Sequence, residues 1–363
     1  MSDARFMTTA LALGRRGLGR CWPNPAVGCV IVAAGRIVGR GWTQPGGRPH
    51  AEVVALAQAG DAARGATAYV TLEPCAHHGK TPPCADALAA AGIARVVIAL
   101  SDPDDRVNGQ GIARLRDAGI EVVEGVGAAQ ARADQRGFLS RVTRGRPMVT
   151  LKLAASLDGR IATASGESRW ITGPAARRAV HALRRGHDAV MVGAGTVRAD
   201  DPALTVRGMG TVRQPVRVVV SRQLDLPLEG QLARTAGEVP VWILHGDRAD
   251  PVRISAWRDA GAVLHAVPVR GGRVDMTAAL GVLGREGLTR VFCEGGGALA
   301  ASLLAEDLVD EFVGFTAGLA LGAEGRPALD AMGIGRLADA PRFRLVDTRT
   351  LGGDVLHRWV RPD

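Results

Sequence analysis

His50-Ala51-Glu52, then Pro74-Cys75, then Cys84, bring together the residue types of a catalytic metal centre. One imidazole and two thiolates supply three protein ligands for Zn2+. They leave the fourth tetrahedral position open, where a structural site would be closed by a fourth residue. Glu52 follows the histidine by two positions and is placed to carry protons rather than to bind metal. A zinc centre with an open position and an adjacent carboxylate performs hydrolysis, because the metal lowers the pKa of a water toward neutrality.

Other readings of these cysteines are two unrelated buried thiols, or a structural zinc closed by His77 or His78. Either would make the upstream His-Ala-Glu a coincidence. Five cysteines in 363 residues are too sparse for a disulfide scaffold. Cys21, Cys29 and Cys293 fall in or beside apolar stretches and are expected as buried thiols. The H-x-E…P-C…C arrangement is that of zinc deaminases acting on nucleobases. Its spacing is unusual here, with eight residues between Cys75 and Cys84.

The elements that must position these residues alternate. Strands are expected at 26–32 and 36–41 around Ala34-Gly35, at 68–72 running into Glu73-Pro74-Cys75, at 95–100 and at 120–124. Helices are expected at 52–59, with His50 at its entry, at 84–91 after Pro82-Pro83, and at 111–118. Both cysteines then sit near helix N-termini, where backbone N–H groups favour thiolates. The polar, Arg-rich stretch 125–146 reads as a helix and connector. A second strand pattern starts after Pro147, at 148–153, and recurs at 189–192, 216–220, 241–244 and Arg290–Cys293. The reading is therefore α/β, with one domain over residues 1–145 and another over 146–363.

The second half carries its own constellation. Lys152-Leu-Ala-Ala-Ser156-Leu-Asp158-Gly159 follows one strand, and Gly193-Ala-Gly195-Thr196-Val-Arg198-Ala-Asp200-Asp201-Pro202 follows another. Ser168-Arg-Trp170-Ile-Thr172 lies in a polar loop. Glu294-Gly295-Gly296-Gly297 stands between a strand and a helix, where phosphate can approach backbone N–H groups. Gly193-x-Gly195 offers two glycines of a dinucleotide fingerprint, but Arg198 stands where Gly or Ala is required. An ordinary tight turn explains it equally well, and any cofactor would be held by a different fold.

The net charge of +9 invites a nucleic-acid partner, but the arginines are dispersed and one tyrosine with six Phe and six Trp gives few bases a stacking surface. Modest basicity also suits a phosphorylated small substrate. Only Lys80 and Lys152 are lysines, against 43 arginines, and both lie in motif segments. No apolar run reaches the roughly 18 residues of a spanning helix. Residues 1–20 read as a first helix rather than a leader, so a cytoplasmic enzyme without membrane engagement is expected.

Taken together, these motifs resemble the bifunctional riboflavin-biosynthesis deaminase–reductase family over nearly the whole chain. The first half matches through Asn24-Pro25-Ala-Val27-Gly28, His50-Ala51-Glu52, Thr71-Leu-Glu73-Pro74-Cys75 and the run His77-His78-Gly79-Lys80-Thr81-Pro82-Pro83-Cys84. That run accounts for the long intercysteine spacing. The second half matches through Ser156-Leu-Asp158-Gly159, Ser168-Arg-Trp170-Ile-Thr172, Gly195-Thr196 to Arg207, and Glu294-Gly295-Gly296. The resemblance implies a cytidine-deaminase-like three-layer domain followed by a dihydrofolate-reductase-like domain that uses NADPH. It implies His50, Cys75 and Cys84 as zinc ligands and Glu52 as proton shuttle. Asn24, Ala51, His77 and Lys80 would line the pyrimidine pocket. Lys152, Ser168, Arg184, Leu204, Arg207 and Glu294 would contact the second substrate. Ala154, Trp170, Thr196, Asp200, Ser221, Gly296, Gly297, Ala298, Leu299, Ala300, Ala301 and Ser302 would contact NADPH. A homodimer or higher homo-oligomer is expected, with phosphorylated pyrimidines as small-molecule partners.

Two positions depart from the family pattern. Thr43 stands where a histidine is usual, and Asp104 replaces an asparagine in Asp102-Pro103-Asp104. Arg184 and Arg207 suit bidentate phosphate binding. The rival readings are a tRNA-type zinc deaminase with an accessory domain, which leaves the second half unexplained, and a zinc-stabilised scaffold without catalysis.

Overall fold

A computed structural model describes residues 2–77, 82–105 and 107–362. Lys80 therefore lies outside the described residues. The chain divides into two compact units, Met1–Gly145 and Arg146–Asp363.

The first unit contains α1 (Asp3–Gly14), β1 (Gly28–Ala33), β2 (Arg36–Trp42), α2 (Ala51–Ala59) and β3 (Thr67–Val70). It continues with α3 (Cys84–Ala90), β4 (Arg95–Ile98), α4 (Gln110–Asp117), β5 (Glu121–Glu124) and α5 (Ala128–Arg144). The sheet order is β2-β1-β3-β4-β5. β1 runs antiparallel to both β2 and β3, and β3, β4 and β5 run parallel. Side-chain alternation makes the layers. Cys29, Ile31, Ala68, Val70, Val96 and Ile98 pack on one face with Ala51, Ala55, Leu88 and Leu115. Val30, Val32, Tyr69 and Val97 pack on the other with Phe6, Met7, Ala10 and Ala131. The result is the expected cytidine-deaminase-like sandwich, with the sheet between two helical layers.

One close approach fixes the helix that carries the chemistry. A Cβ at Gly39 would lie 2.2 Å from the Ala55 carbonyl oxygen, and one at Gly41 would lie 2.0 Å from that of Ala51. α2 can rest on β2 only because both positions lack side chains. Its N-cap is His50, so this contact sets where His50 and Glu52 enter the unit.

The second unit has β6 (Met148–Ser156), β7 (Arg160–Ala162), α6 (Pro174–Arg185), β8 (Ala189–Gly193), α7 (Ala194–Asp200), β9 (Val216–Ser221) and α8 (Gln231–Arg234). It continues through β10 (Val241–Gly246), α9 (Pro251–Asp259), β11 (Val263–Val267), β12 (Val269–Arg270), β13 (Arg273–Val274), α10 (Met276–Arg285) and β14 (Arg290–Cys293). It ends with α11 (Gly297–Ala305), β15 (Glu311–Ala317), β16 (Arg326–Pro327), β17 (Arg344–Leu351) and β18 (Asp354–Val360). Nine strands form one sheet in the order β11-β10-β9-β8-β14-β6-β15-β18-β17. The strands from β11 to β15 are parallel, and β18 and β17 close the edge antiparallel. In such sheets ligands bind beyond the carboxyl ends of the strands. Here β6, β8 and β14 are neighbours, and the turns after β8 and β14 open α7 and α11.

His187, just after α6, is a buried hinge between that helix and β6. Its Nδ1 donates to the Leu183 carbonyl at 2.7 Å, and its Nε2 accepts from the Thr150 hydroxyl at 3.0 Å. Only the neutral ring can do both. Burial, helped by the Arg290 charge, pushes its pKa down to about 3.

Two outcomes follow from these contacts. Gly41→Ala is expected to destabilise the first unit by about 1–3 kcal/mol through overpacking, measured by urea unfolding, with the second unit's transition unmoved. For His187 the unfolded chain holds a proton below about pH 6.5 while the native ring does not. Its contribution is therefore complete above that pH and falls by about 1.4 kcal/mol per pH unit on acidification toward the folded value. Unfolding measured from pH 7 down to pH 4 should show a shallower slope in His187→Gln than in the parent chain.

Candidate functional sites

In the first unit, His50 enters α2 and Cys84 is the first residue of α3. Cys75 lies in the irregular segment after β3, not at a helix start as the sequence suggested. Its sulfur nevertheless reaches the N-terminus of α3, where it accepts the Cys84 N–H at 3.3 Å. His50 Nδ1 stands 3.7 Å from Cys75 Sγ and 3.3 Å from Cys84 Sγ. The three ligand atoms all lie within 4.8 Å of one another. Tetrahedral zinc with usual Zn–S and Zn–N lengths sets N···S edges of about 3.6 Å, so the observed spacings fit that ion. The electrostatics fit as well. A hydrogen bond from the Cys84 thiol, with help from His50 and the Cys84 N–H, lowers Cys75 to about 4 against the opposing effect of burial. Cys84, as donor in that bond and buried, is pushed far up. The hydrogen bond with Cys75 raises His50.

Asn24 backs the ring. Its Nδ2 donates to the Gly47 carbonyl at 2.9 Å and lies 3.3 Å from His50 Nε2. Above the cluster is a cavity of about 210 Å³, lined by Asn24, His50, Glu52, Cys75 and His77 among others. Glu52 is 3% exposed, and burial pushes its carboxyl up to about 7. His77 Nδ1 is buried with no hydrogen-bond partner among the described residues, an unmet polar atom at the cavity. Ala51, the first residue of α2, is fully buried and does not border the cavity. Thr43 does line it, but its hydroxyl accepts the Val27 N–H at 3.0 Å. Asp104 also borders the cavity, its N–H donating to Asp102 Oδ1 at 3.0 Å.

Sequence reasoning missed Arg48, Phe138 and Arg141 in this wall. The last two come from α5, which reads as a connector by composition. The signal was there in part, since an aromatic and an arginine three residues on share a helix face.

In the second unit two cavities, of about 770 and 500 Å³, share Lys152, Ala154, Ser168, Thr196, Asp200 and Glu294. Lys152, Ser168, Arg184, Leu204, Arg207 and Glu294 all border the smaller one. The glycine turn Gly295–Gly297 with Ala298 and Leu299 borders the larger. There Gly296 N–H donates to Thr196 Oγ1 at 3.1 Å, joining the turn after β14 to α7. A Cβ at Gly297 would come within 2.9 Å of Asp330 Oδ1, so the turn is tightly cradled at the start of α11. A glycine-lined helix N-terminus of this kind fits the phosphates of a dinucleotide. Trp170 is 68% exposed at the rim, with the Arg177 guanidinium 4.4 Å from its ring centroid.

Four cofactor expectations are not brought to these cavities. Ser221 is buried at the end of β9 and donates to Asp225 Oδ1 at 3.1 Å. Ala300 and Ala301 face the core, and Ser302 bonds back to the Ala298 carbonyl at 3.0 Å. In α11 the residues that border the cavity are the first three, Gly297, Ala298 and Leu299.

Glu294 organises the smaller cavity. Arg184 grips it through Nε at 2.5 Å and Nη2 at 3.1 Å, and its Nη1 donates to the Thr205 carbonyl at 2.8 Å. Lys152 Nζ stands 3.9 Å away. Burial raises Glu294, but Arg184 and Lys152 outweigh it and hold the carboxyl below its ordinary value. Arg184 therefore spends its planar fork on Glu294 rather than presenting it to a phosphate. His181, another missed residue, borders the same cavity and accepts the Arg207 N–H at 3.2 Å. Together with Arg177 and Arg184 it lines one face of α6, at spacings of four and three.

Two family models match the chain. The cytidine and deoxycytidylate deaminase zinc-binding region matches residues 1–100, and the RibD C-terminal domain matches residues 147–357. The riboflavin biosynthesis protein RibD of Escherichia coli K12 is 43% identical over 367 residues, covering 98% of each chain. The chain belongs to the RibD family. A solved structure of RibD from Acinetobacter baumannii aligns with a TM-score of 0.89 at 39% identity, over 99% of each chain. A second, from Thermotoga maritima, is described as a diaminohydroxyphosphoribosylaminopyrimidine deaminase and 5-amino-6-(5-phosphoribosylamino)uracil reductase. It aligns with a TM-score of 0.86 at 35% identity, over 99% of this chain and 98% of that one. RibD membership carries both a zinc-dependent deamination and an NADPH-dependent reduction in riboflavin biosynthesis. It also accounts for the second half, which a nucleic-acid deaminase would leave idle. Among the described residues no helix is long and apolar enough to cross a membrane.

Arg184→Leu is expected to leave the Glu294 carboxylate buried without its main partner, at a cost of about 3–5 kcal/mol. Urea unfolding of the second unit measures it. A double variant that also carries Glu294→Leu should recover most of that loss.

Proposed function

We propose that the first unit deaminates 2,5-diamino-6-(5-phosphoribosylamino)pyrimidin-4(3H)-one, and that the second reduces the ribosyl group of 5-amino-6-(5-phosphoribosylamino)uracil to ribityl. The observation that carries the first step is the convergence of His50 Nδ1, Cys75 Sγ and Cys84 Sγ under a cavity that also exposes the Glu52 carboxyl. His50, Cys75 and Cys84 would hold the zinc ion, which when bound supplies Lewis acidity to a water. Glu52 takes a proton at its carboxylate and returns it to the exocyclic nitrogen, which leaves as ammonia. Asn24 holds the His50 ring in place, and His77 offers its unmet Nδ1 to the substrate. Lys80 is proposed as a further substrate contact from the family pattern alone.

In the second unit Gly296, Gly297, Ala298, Leu299, Thr196 and Asp200 would hold NADPH, which when bound supplies the hydride. Lys152, Ser168, Leu204 and Arg207 line the neighbouring cavity, where they would orient the opened ribose and its phosphate. Glu294 and Arg184 fix the floor between the two ligands. The same reading takes phosphorylated pyrimidines as partners, a homo-oligomer as the assembly and the cytoplasm as the compartment, with no nucleic acid engaged.

The test follows ammonia release and NADPH oxidation separately. Glu52→Gln should keep its zinc and lose deamination by about 100-fold or more, while oxidising NADPH at the parent rate when given the deaminated pyrimidine. Unchanged ammonia release in that variant would remove Glu52 from the mechanism. Ammonia release from tRNA but not from the free pyrimidine would overturn the substrate assignment.

A further inference from the structure

A second carboxylate, Glu73, borders the deaminase cavity and has no part in the chemistry above. It is 4% exposed. Its Oε1 accepts the N–H groups of Gly111 at 3.0 Å and Ile112 at 3.2 Å. Its Oε2 accepts those of Asp102 at 3.1 Å and Gly109 at 3.2 Å. With both oxygens doubly engaged, Glu73 is poorly placed to shuttle protons, unlike Glu52.

Three of these donors, Gly109, Gly111 and Ile112, belong to one structural problem. α4 begins after Gly109, whose left-handed backbone (φ 84°) carries no side chain to cap the helix. The first-turn N–H groups of a helix have no partner within it. Glu73 supplies the acceptor from a distant strand end, and its charge also suits the positive end of the helix dipole. The approach is close, since a Cβ at Gly111 would sit 1.9 Å from the Pro74 carbonyl oxygen. Glu73 N–H also donates to the Leu100 carbonyl at 2.9 Å. The strand end that leads to Cys75 is thereby tied to the loop between β4 and α4. That loop gives Asp102, Asp104 and Val107 to the cavity wall.

We propose that Glu73 is a positioning residue for deamination, setting the Asp102–Asp104–Val107 wall at a fixed distance from the Cys75 ligand by accepting four backbone N–H groups. The inference rests on the deaminase reading of the first unit. Glu73→Gln keeps the shape but replaces one oxygen with an NH2 group, which faces N–H donors it cannot accept. The full chain, zinc-loaded, is the material for the test.

The expected result is a KM for the diaminopyrimidine raised on the order of ten-fold, with kcat lowered less. Zinc content and NADPH oxidation on the deaminated pyrimidine should stay at parent values. Hydrogen exchange should quicken at the amides of residues 102, 109, 111 and 112. If that variant does not fold, Glu73→Asp, which keeps the charge but shortens the reach, should show the same pattern to a smaller degree. Parent KM at full zinc occupancy, or a raised KM that tracks zinc loss alone, would overturn the proposal. Failure of the parent chain to release ammonia would instead overturn the deaminase reading.

Discussion

A carboxylate taken out of water must be met by donors, and this requirement organises both units. Glu73 meets four backbone N–H groups at the end of β3. Asp188, between α6 and β8, accepts the N–H groups of Thr289 and Arg290 and the Thr289 hydroxyl. Asp310 accepts the Val149 N–H and both Nη groups of Arg146. Each carboxylate joins segments far apart in the chain, at a point where a strand begins or ends. Side chains carried on those strand ends inherit the precision of the joint. The deaminase centre is built on such an end, while the Asp188 and Asp310 joints lie at strand starts, at the opposite end of the sheet from the reductase cavities.

The units solve the problem of approach by omission. In the first, Gly39 and Gly41 let α2 lie directly on β2, so the His50 and Glu52 side chains arrive at the level of the cysteines. In the second, Gly296 and Gly297 keep the mouth of α11 free of side chains at the larger cavity. The difference is in what completes each centre. The deaminase cluster gathers one imidazole and two cysteine sulfurs at the spacings of a tetrahedral ion. The reductase floor is complete in protein alone, because Glu294 already has Arg184 and Lys152.

Much of this was legible in the sequence, and what was not has a common cause. The metal ligands and Glu52 are read from residue type and spacing, since nothing else explains His-Ala-Glu before Pro-Cys. Strands such as Arg290–Cys293 are read from short apolar runs, and the turn at Ala34-Gly35 from its residues, with φ of 48° and 73° in the structure. The donors to Glu73 were invisible because they are backbone groups some 30 residues later, and backbone groups carry no signal in residue type. The role of α5 was hidden because Phe138 and Arg141 look like any amphipathic face. The strands β15, β17 and β18 carry none of the motif residues read for chemistry and drew no attention, though β15 pairs with β6 directly beside Lys152. The resemblance implied cofactor contacts at Ser221 and at Ala300, Ala301 and Ser302, none of which borders the two cavities, since Ser221 bonds to Asp225 and Ser302 to the Ala298 carbonyl.

Lys152 shows how composition and site meet. Arginine stands for lysine nearly everywhere in this chain, and the one lysine among the described residues lies 3.9 Å from the Glu294 carboxylate that Arg184 grips. Arg184 already fills the planar, bidentate position on Glu294. A second fork would compete for the same oxygens and crowd a cavity that must admit substrate. A compact ammonium needs no such geometry. Burial also lowers the Lys152 pKa, which a guanidinium would resist. The position thus calls for a small cation on the wall that the two cavities share, and lysine is the side chain that offers one.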